Sequence, residues 1–378
     1  MTKLSSKQLY GILNQWDIDS NKVNIRPYGS GHINDTYLIN DKNNPNSTSY
    51  ILQRVNHDVF TEPEKVMRNI VDVTTFLAKK IGAEGGNPRR ETLNVLPTVD
   101  GEALNIIEIE SANDEVYQEY WRLYIFVEDT VDFQQSPSLE IFAESARAFG
   151  RFARRLIDYP AGTLHETIER FHDTPKRFDD FLIAIKADQV ARAKTCQPEI
   201  NFFLEREQDC HVLQDLLEND QLPVRVTHND TKLNNVLFDR ETGKGLCVID
   251  LDTVMPGLLA HDYGDSIRFG ASTALEDEPD LTKVHFSLEL FEAYTVAYLT
   301  EVGPVMTEKE LETLAWGARL MTLECGLRFL TDYLAGDTYF KIERKNHNLD
   351  RTRTQIKLVS EMEVNFDKMQ EIIMKSKN

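Results

Sequence analysis

The sequence predicts an α+β protein in two domains, on three observations. The first third alternates short apolar extended segments with one helical stretch, and the remainder carries helical periodicity. A single extended island, residues 224–258, interrupts that remainder. Strands followed by runs of helices segregate into a sheet-bearing part and a helical part. The boundary falls near residue 130, giving 1–130 as an N-terminal unit and 131–378 as a C-terminal unit.

Leu9, Ile12, Leu13 and Trp16 recur at helical spacing and predict a short amphipathic first helix. Residues 23–39 and 50–55 are rich in Val, Ile and Tyr and read as extended, joined by a polar loop at 41–49. A helix follows from Thr61, with Val66, Ile70, Val73 and Leu77 on one face and Thr61-Glu-Pro-Glu64 as a capping box. Extended stretches at 92–109 and 116–127 surround the turn signal Asp100-Gly101. After Ser136-Pro137, Ala143, Ala146, Gly150 and Ala153 line one helical face with small residues, which suits close packing. Further helical patterns cover 175–220, 280–301, 308–334 and 350–375.

The chain carries 42 basic and 62 acidic residues, a net charge of −20. Nucleic acid and anionic membrane surfaces share that sign, so neither is expected as the main partner. A local basic pocket for phosphate remains compatible with it. Four cysteines without a Cys-x-x-Cys spacing predict reduced, buried thiols and no zinc site. No apolar run approaches bilayer length and the first residues are polar, so the expected location is cytoplasmic.

The island holds the chemistry. It reads Val226-Thr-His-Asn-Asp-Thr-Lys-Leu-Asn-Asn-Val-Leu-Phe-Asp239, then a turn with Gly243 and Gly245, then Leu246-Cys-Val-Ile-Asp-Leu-Asp252. Two apolar runs about a glycine turn predict a β-hairpin. Pairing the runs symmetrically sets Asn235 opposite Asp250, about 4.5–5.5 Å apart at Cα. An amide oxygen and a carboxylate there suit one hard cation, Mg²⁺. The spacing His228-x-Asp230-x-Lys232-x-x-Asn235 is that of the protein-kinase catalytic loop, with Asp250 at the metal-binding aspartate. Asp230 can accept the proton of an attacking hydroxyl, and Lys232 can offset charge on the transferring phosphoryl. His228 is expected to prop the loop. Taken singly, Asp250 reads as a strand-end turn residue and Lys232 as a surface charge; the joint spacing favours phosphotransfer.

His-x-Asp with Asn seven residues after the His, followed by Ile-Asp-Leu-Asp, resembles the aminoglycoside phosphotransferase and choline kinase superfamily. The strings THNDTKLNNVLFD from Thr227, IDLDTVMPG from Ile249 and ECGLRFLTDYLAGDTYF from Glu324 are similar to the bacterial N-acetylhexosamine 1-kinase family. YGSGHINDTYLI near the N-terminus fits it too. The resemblance implies a two-lobed, protein-kinase-like fold with ATP between the lobes. It also implies phosphorylation of the anomeric hydroxyl of N-acetylglucosamine or N-acetylgalactosamine. The alternatives are another small-molecule kinase, acting on choline, homoserine or an aminoglycoside, or a nucleotide-binding pseudokinase.

Gly29, Ser30 and Gly31 form either a hairpin turn or a phosphate-covering turn, and the catalytic loop favours the latter. The strand 50–55 has no Lys; Arg54 is its nearest cation and is expected at the ATP phosphates, although Gln53 would face the opposite side. The resemblance raises His32, Arg328 and Tyr339 to sugar contacts, alongside Asp230. The bland readings are an ordinary loop histidine for His32 and a surface salt bridge from Arg328 to Asp332. Asp252, Asp262, Asp265 and Arg268 suit a structural ion network or sugar contact equally well.

Overall fold

The computed structural model describes residues 6–29, 33–44, 46–110 and 116–377. Helix α1 (Ser6–Leu13) precedes strands β1 (Val23–Pro27), β2 (Asp35–Asp41) and β3 (Tyr50–Val55). Then come α2 (Pro63–Ala83), the single turn α3 (Pro88–Glu91), β4 (Asn105–Glu110) and β5 (Val116–Ile125). These strands form one antiparallel sheet in the order β1-β2-β3-β5-β4. The extended run expected at 23–39 is thus two strands. Asp100-Gly101 turns inside the run before β4, where Gly101 has φ 87° and donates its N–H to Thr98 O at 2.9 Å.

The alternation of the strands decides what each sheet face does. Leu9, Ile12, Leu13 and Trp16 of α1 and its following turn pack with Tyr37, Ile39, Leu52, Trp121 and Leu123 on one face. The opposite face contributes Val55 and Tyr124 to a core shared with α2 and the helical region. The predicted stripe Val66, Ile70, Val73 and Leu77 is buried there. The capping box is not formed: Pro63 at the first turn makes Glu62 the N-cap, without a side-chain cap bond, and Glu64 is exposed.

The helical region begins after β6 (Thr130–Val131) with α4 (Leu139–Arg155), followed by α5 (Thr174–Ala187), α6 (Gln197–Leu204) and α7 (Glu207–Glu218). Strands β7 (Arg225–Thr227), β8 (Val236–Asp239), β9 (Gly245–Val248) and β10 (Met255–Gly257) make up the island. Helices α8 (Leu259–Gly270), α9 (Leu288–Val302), α10 (Glu308–Ala335), α11 (His347–Val364) and α12 (Phe366–Ser376) complete it. The small stripe of α4 meets α9, and a Cβ on Gly150 would lie 2.9 Å from the Tyr298 carbonyl oxygen. The run 175–220 is three helices, broken where Asp188 takes φ 34° and again around Arg206. Helix α8 had no periodic signal because ten of its twelve residues are buried, leaving no polar face to read.

No helix among the described residues is long and apolar enough to cross a membrane. All four cysteines are free; Cys196, Cys210 and Cys247 are buried and Cys325 is half-buried.

Candidate active site

The island folds as two short ladders, and the segment between them carries the site. β7 pairs with β10, and β8 pairs with β9. The hairpin register differs from symmetric pairing. Val236 faces Val248 and Leu237 faces Cys247, but an irregularity between Leu237 and Phe238 sets Phe238 opposite Gly245. Asn235 therefore stands opposite Ile249, whose N–H donates to Asn235 O at 2.9 Å. Asp250 leaves the ladder one residue later with φ 60°, a left-handed conformation that Asp tolerates better than most residues.

His228 is a prop, as its context predicted. Its Nδ1 accepts the N–H of Asp230 at 3.2 Å, so Nε2 is the protonated nitrogen and donates to Ile249 O at 2.9 Å. The ring lies edge-on to Phe149 and Phe152. One imidazole thus ties the Asp230 backbone to the residue before Asp250.

Asp230 is partly open, with Lys232 Nζ 2.6 Å from Oδ1 and Asn235 Nδ2 donating to Oδ2 at 3.0 Å. Burial would raise its carboxyl, but the Lys232 charge and these hydrogen bonds outweigh that and hold it below the usual value. Lys232 is correspondingly pushed up, chiefly by Asp230. Asp250 behaves oppositely. It is reached by solvent yet largely walled by protein, and this desolvation, with the charges of Asp252 and Asp230, raises its carboxyl to about 6.

The environment of Asp250 and Asn235 fits a divalent cation. The Asp250 carboxylate accepts no hydrogen bond among the described residues. Asn235 spends its amide N–H₂ on Asp230, through both Oδ2 and the carbonyl, which leaves its amide oxygen unengaged. An electron-rich carboxylate and a free amide oxygen are a hard-cation donor set. No group of three or more His, Cys, Asp or Glu converges into a metal site among the described residues.

Helix α8 supplies the scaffold. Asp262 accepts the backbone N–H of His228 on one oxygen and that of Asn229 on the other, at 2.8 and 2.7 Å. Asp265 accepts the N–H of Thr231 at 3.0 Å and is held by Arg268. Ser266 donates to Thr231 O at 2.8 Å. Of the two readings of these side chains, the structural network is the one their contacts satisfy.

Arg54 is not brought to this cluster. It lies on the sheet face beneath α1, donating to Asp35 and, at 2.6 Å, to buried Glu119, with Trp121 beside it. Period-two alternation puts Gln53 on the other face, opposite Arg122 of β5. Arg122, which the sequence reading passed over, is the sheet cation on the face toward the site: it is ion-paired to Asp252, two residues after Asp250. Asn34 donates to the same carboxylate at 2.6 Å. Only strand register could have exposed Arg122, and that needs the fold. Gly29 follows β1 with φ 76°. Ser30, Gly31 and His32 lie outside the described residues.

Arg328, on α10, makes no salt bridge to Asp332. Asp332 instead accepts the backbone N–H groups of Thr338, Tyr339 and Phe340 at 2.8–3.0 Å, shaping the loop after the helix. That loop sets Tyr339 and Phe340 beside Arg328, whose guanidinium lies 5.6–5.8 Å from the rings of Phe171, Tyr339 and Phe340. Tyr339 is 69% exposed. Cys325, one turn back on α10, feels both Arg328 and the Arg268 that holds Asp265. Arg268 also pairs with Glu276, which lies 3.9 Å from Cys325 Sγ, so α10 is joined to α8 beside the Asp265 that accepts the Thr231 N–H.

A family model described as the phosphotransferase enzyme family matches residues 24–298. Similar solved structures include a microcompartment-associated aminopropanol kinase, 16% identical with a TM-score of 0.62, covering 97% of this chain and 99% of that one. A choline kinase from Cryptosporidium parvum is 12% identical at a TM-score of 0.58, over 98% and 99% of the two chains. A spectinomycin phosphotransferase in complex with ADP and spectinomycin is 13% identical at a TM-score of 0.57, over 99% of each. At such identities the likeness is one of fold: a kinase-like α+β architecture with an N-terminal sheet and a helical C-terminal region.

Proposed function

The chain belongs to the phosphotransferase enzyme family and is a small-molecule kinase of the aminoglycoside phosphotransferase and choline kinase type; on that premise we propose that it transfers the γ-phosphoryl of ATP to the anomeric hydroxyl of N-acetylglucosamine or N-acetylgalactosamine. The substrate class rests on the sequence strings quoted above. The observation that carries a neutral acceptor over a cationic one is the position of Arg328 among Phe171, Tyr339 and Phe340. A quaternary or protonated amine is recognised by aromatic faces. Here those faces already carry an internal cation, which repels a second one and offers guanidinium donors to hydroxyl and carbonyl oxygens.

In this reading ATP binds between residues 1–130 and 131–378, with Gly29, Ser30 and Gly31 over its phosphates. The sugar lies against Arg328 and Tyr339, with His32 reaching it from the glycine turn. Asp230 accepts a hydrogen bond from the C1 hydroxyl. A carboxyl held below its ordinary value is a weak base, so Asp230 orients the hydroxyl first and takes its proton as the bond to phosphorus forms. That order suits a loose phosphoryl-transfer transition state. Lys232, ion-paired to the same carboxylate, stands ready to offset charge on the transferring group. Asn235 and Asp250 would hold Mg²⁺, whose charge offsets that of the nucleotide phosphates when bound. Arg54, committed to Asp35 and Glu119, has no part in the proposal.

The test is ADP release with Mg-ATP across N-acetylglucosamine, N-acetylgalactosamine, glucose, galactose, choline, homoserine and kanamycin, with the phosphorylated position read by ³¹P NMR. Turnover of the N-acetyl sugars with phosphate on C1 is expected. Turnover confined to choline, homoserine or kanamycin would overturn the substrate assignment and leave the kinase chemistry standing. ATP binding without turnover of any acceptor would favour a pseudokinase.

A further inference from the structure

Kinases of this architecture place a β3 lysine over the nucleotide phosphates, yet here β3 presents Gln53 on that face and turns Arg54 away. We propose that Arg122 and Asp252, joined by Asn34, form a positioning unit that sets the Asp250-bearing segment against the N-terminal sheet for Mg-ATP. This rests on the nucleotide-site reading above and adds three residues to it.

Asp252 belongs to the short turn 251–253 that follows Asp250. Its carboxylate takes its side-chain donors from the N-terminal sheet region. Arg122 approaches it through both terminal nitrogens, Nη2 at 3.0 Å from Oδ2. Asn34 Nδ2 donates to Oδ2 at 2.6 Å, while Asn34 Oδ1 accepts the N–H of Asn56 at 2.9 Å. Arg122 Nε donates to Gln53 Oε1 at 3.0 Å, and Gln53 Nε2 donates to Thr36 Oγ1 at 3.0 Å. Thus β2, β3, β5 and Asn34, just before β2, all bear on one carboxylate two residues from Asp250.

Burial decides between ligand and positioner. Arg122 and Asp252 are 1% and 2% exposed, so neither meets a phosphate or a solvated ion directly. A bidentate arginine fork fixes distance and angle together, which a single ammonium does not. The pair therefore acts through the Asp250-bearing segment. Its influence falls on where the cation sits, not on the acceptor hydroxyl.

The experiment is calorimetric titration of ATP, with and without Mg²⁺, into the full-length protein and its Asn34→Ala, Asp252→Asn and Arg122→Lys variants, each with its unfolding midpoint. Wild type should bind ATP more tightly with Mg²⁺. Each variant should lose about tenfold or more of that Mg²⁺-dependent affinity, as outer-sphere partners of metal ligands typically do, and retain its Mg²⁺-free affinity. Where turnover is measurable, KM for ATP should rise and KM for the acceptor should not. Asn34→Ala removes one partly exposed side chain, so it keeps the test open should a buried variant fail to fold. Folded variants with wild-type Mg²⁺-dependent affinity would overturn the proposal. A wild type that binds no Mg-ATP would instead overturn the nucleotide site on which it rests.

Discussion

Asp262, on α8, closes the backbone of the catalytic loop by accepting the N–H groups of His228 and Asn229 on separate carboxylate oxygens, at 2.8 and 2.7 Å. The proposed base, Asp230, is next in the chain, so its direction in space is inherited from α8.

Asp262→Asn leaves one carbonyl oxygen for two donors and points an N–H₂ at the other. The variant should lose about 1–3 kcal/mol of stability from the unsatisfied buried N–H. Turnover should drop on the order of 100-fold through misplacement of Asp230. Denaturant unfolding and steady-state kinetics on the same preparation check both. Full activity with reduced stability would show that the loop holds its shape without the clamp.

Asp230→Asn keeps size and shape and removes the proton acceptor. Turnover should fall about 10²–10⁴-fold with little change in Mg-ATP affinity, read by single-turnover kinetics and direct binding. Near-normal turnover would remove Asp230 from the base role.

Replacing Arg328 by Met empties the ring cluster of its cation. KM for the neutral sugar should rise by about tenfold, the loss of a charged hydrogen-bond donor. KM for ATP should hold, and weak binding of choline should become detectable by calorimetry. An unchanged sugar KM would place the acceptor elsewhere.

Glu324 gives a pH dependence of definite sign. Burial would raise its carboxyl, but the His172 and Arg328 charges, with hydrogen bonds from His172 at 3.0 Å and Thr174 at 2.7 Å, bring it to about 2 from an ordinary 4.5. A carboxyl depressed on folding stabilises fully above its unfolded value, and that contribution fades as pH falls from about 4.5 through 2. Glu324→Gln should therefore be less stable than wild type at pH 5, by on the order of 2–3 kcal/mol. The gap should narrow toward pH 2, as followed by urea midpoints across that range. A gap independent of pH would assign the loss to packing.

The order of strands and helices was legible because half-buried strands and surface helices write their period into the sequence. The stripe of α2 is buried as read, and so are Ala146, Gly150 and Ala153 of the small face of α4, with Ala143 half-buried at its start. The spacing from His228 to Asn235 was equally legible as a tight loop of fixed offsets, and the structure brings Asp230, Lys232 and Asn235 together there. What failed depended on neighbours in space. The hairpin register slipped by one because the turn closes Asp239 on Lys244, two residues off symmetric pairing, and the bulge after Leu237 recovers only one of them. Arg54 and Arg122 could not be told apart without knowing which strand lies beside β3. Helix α8 was invisible because its partners surround it, and the Thr61 box failed because Pro63 fixed a different start.

At the crossing of α8 and α10, Gly264 lies against Gly317, and a methyl on either would run into the other helix's backbone. A helix seated that tightly can neither slide nor rotate without opening the interior. The amides of His228 and Asn229 should then exchange with deuterium only when the whole region unfolds, not in a local opening. Change during divergence would accordingly fall on segments α8 does not hold, such as the loop at 336–340, allowing acceptors to be exchanged around a 228–231 backbone that never moves.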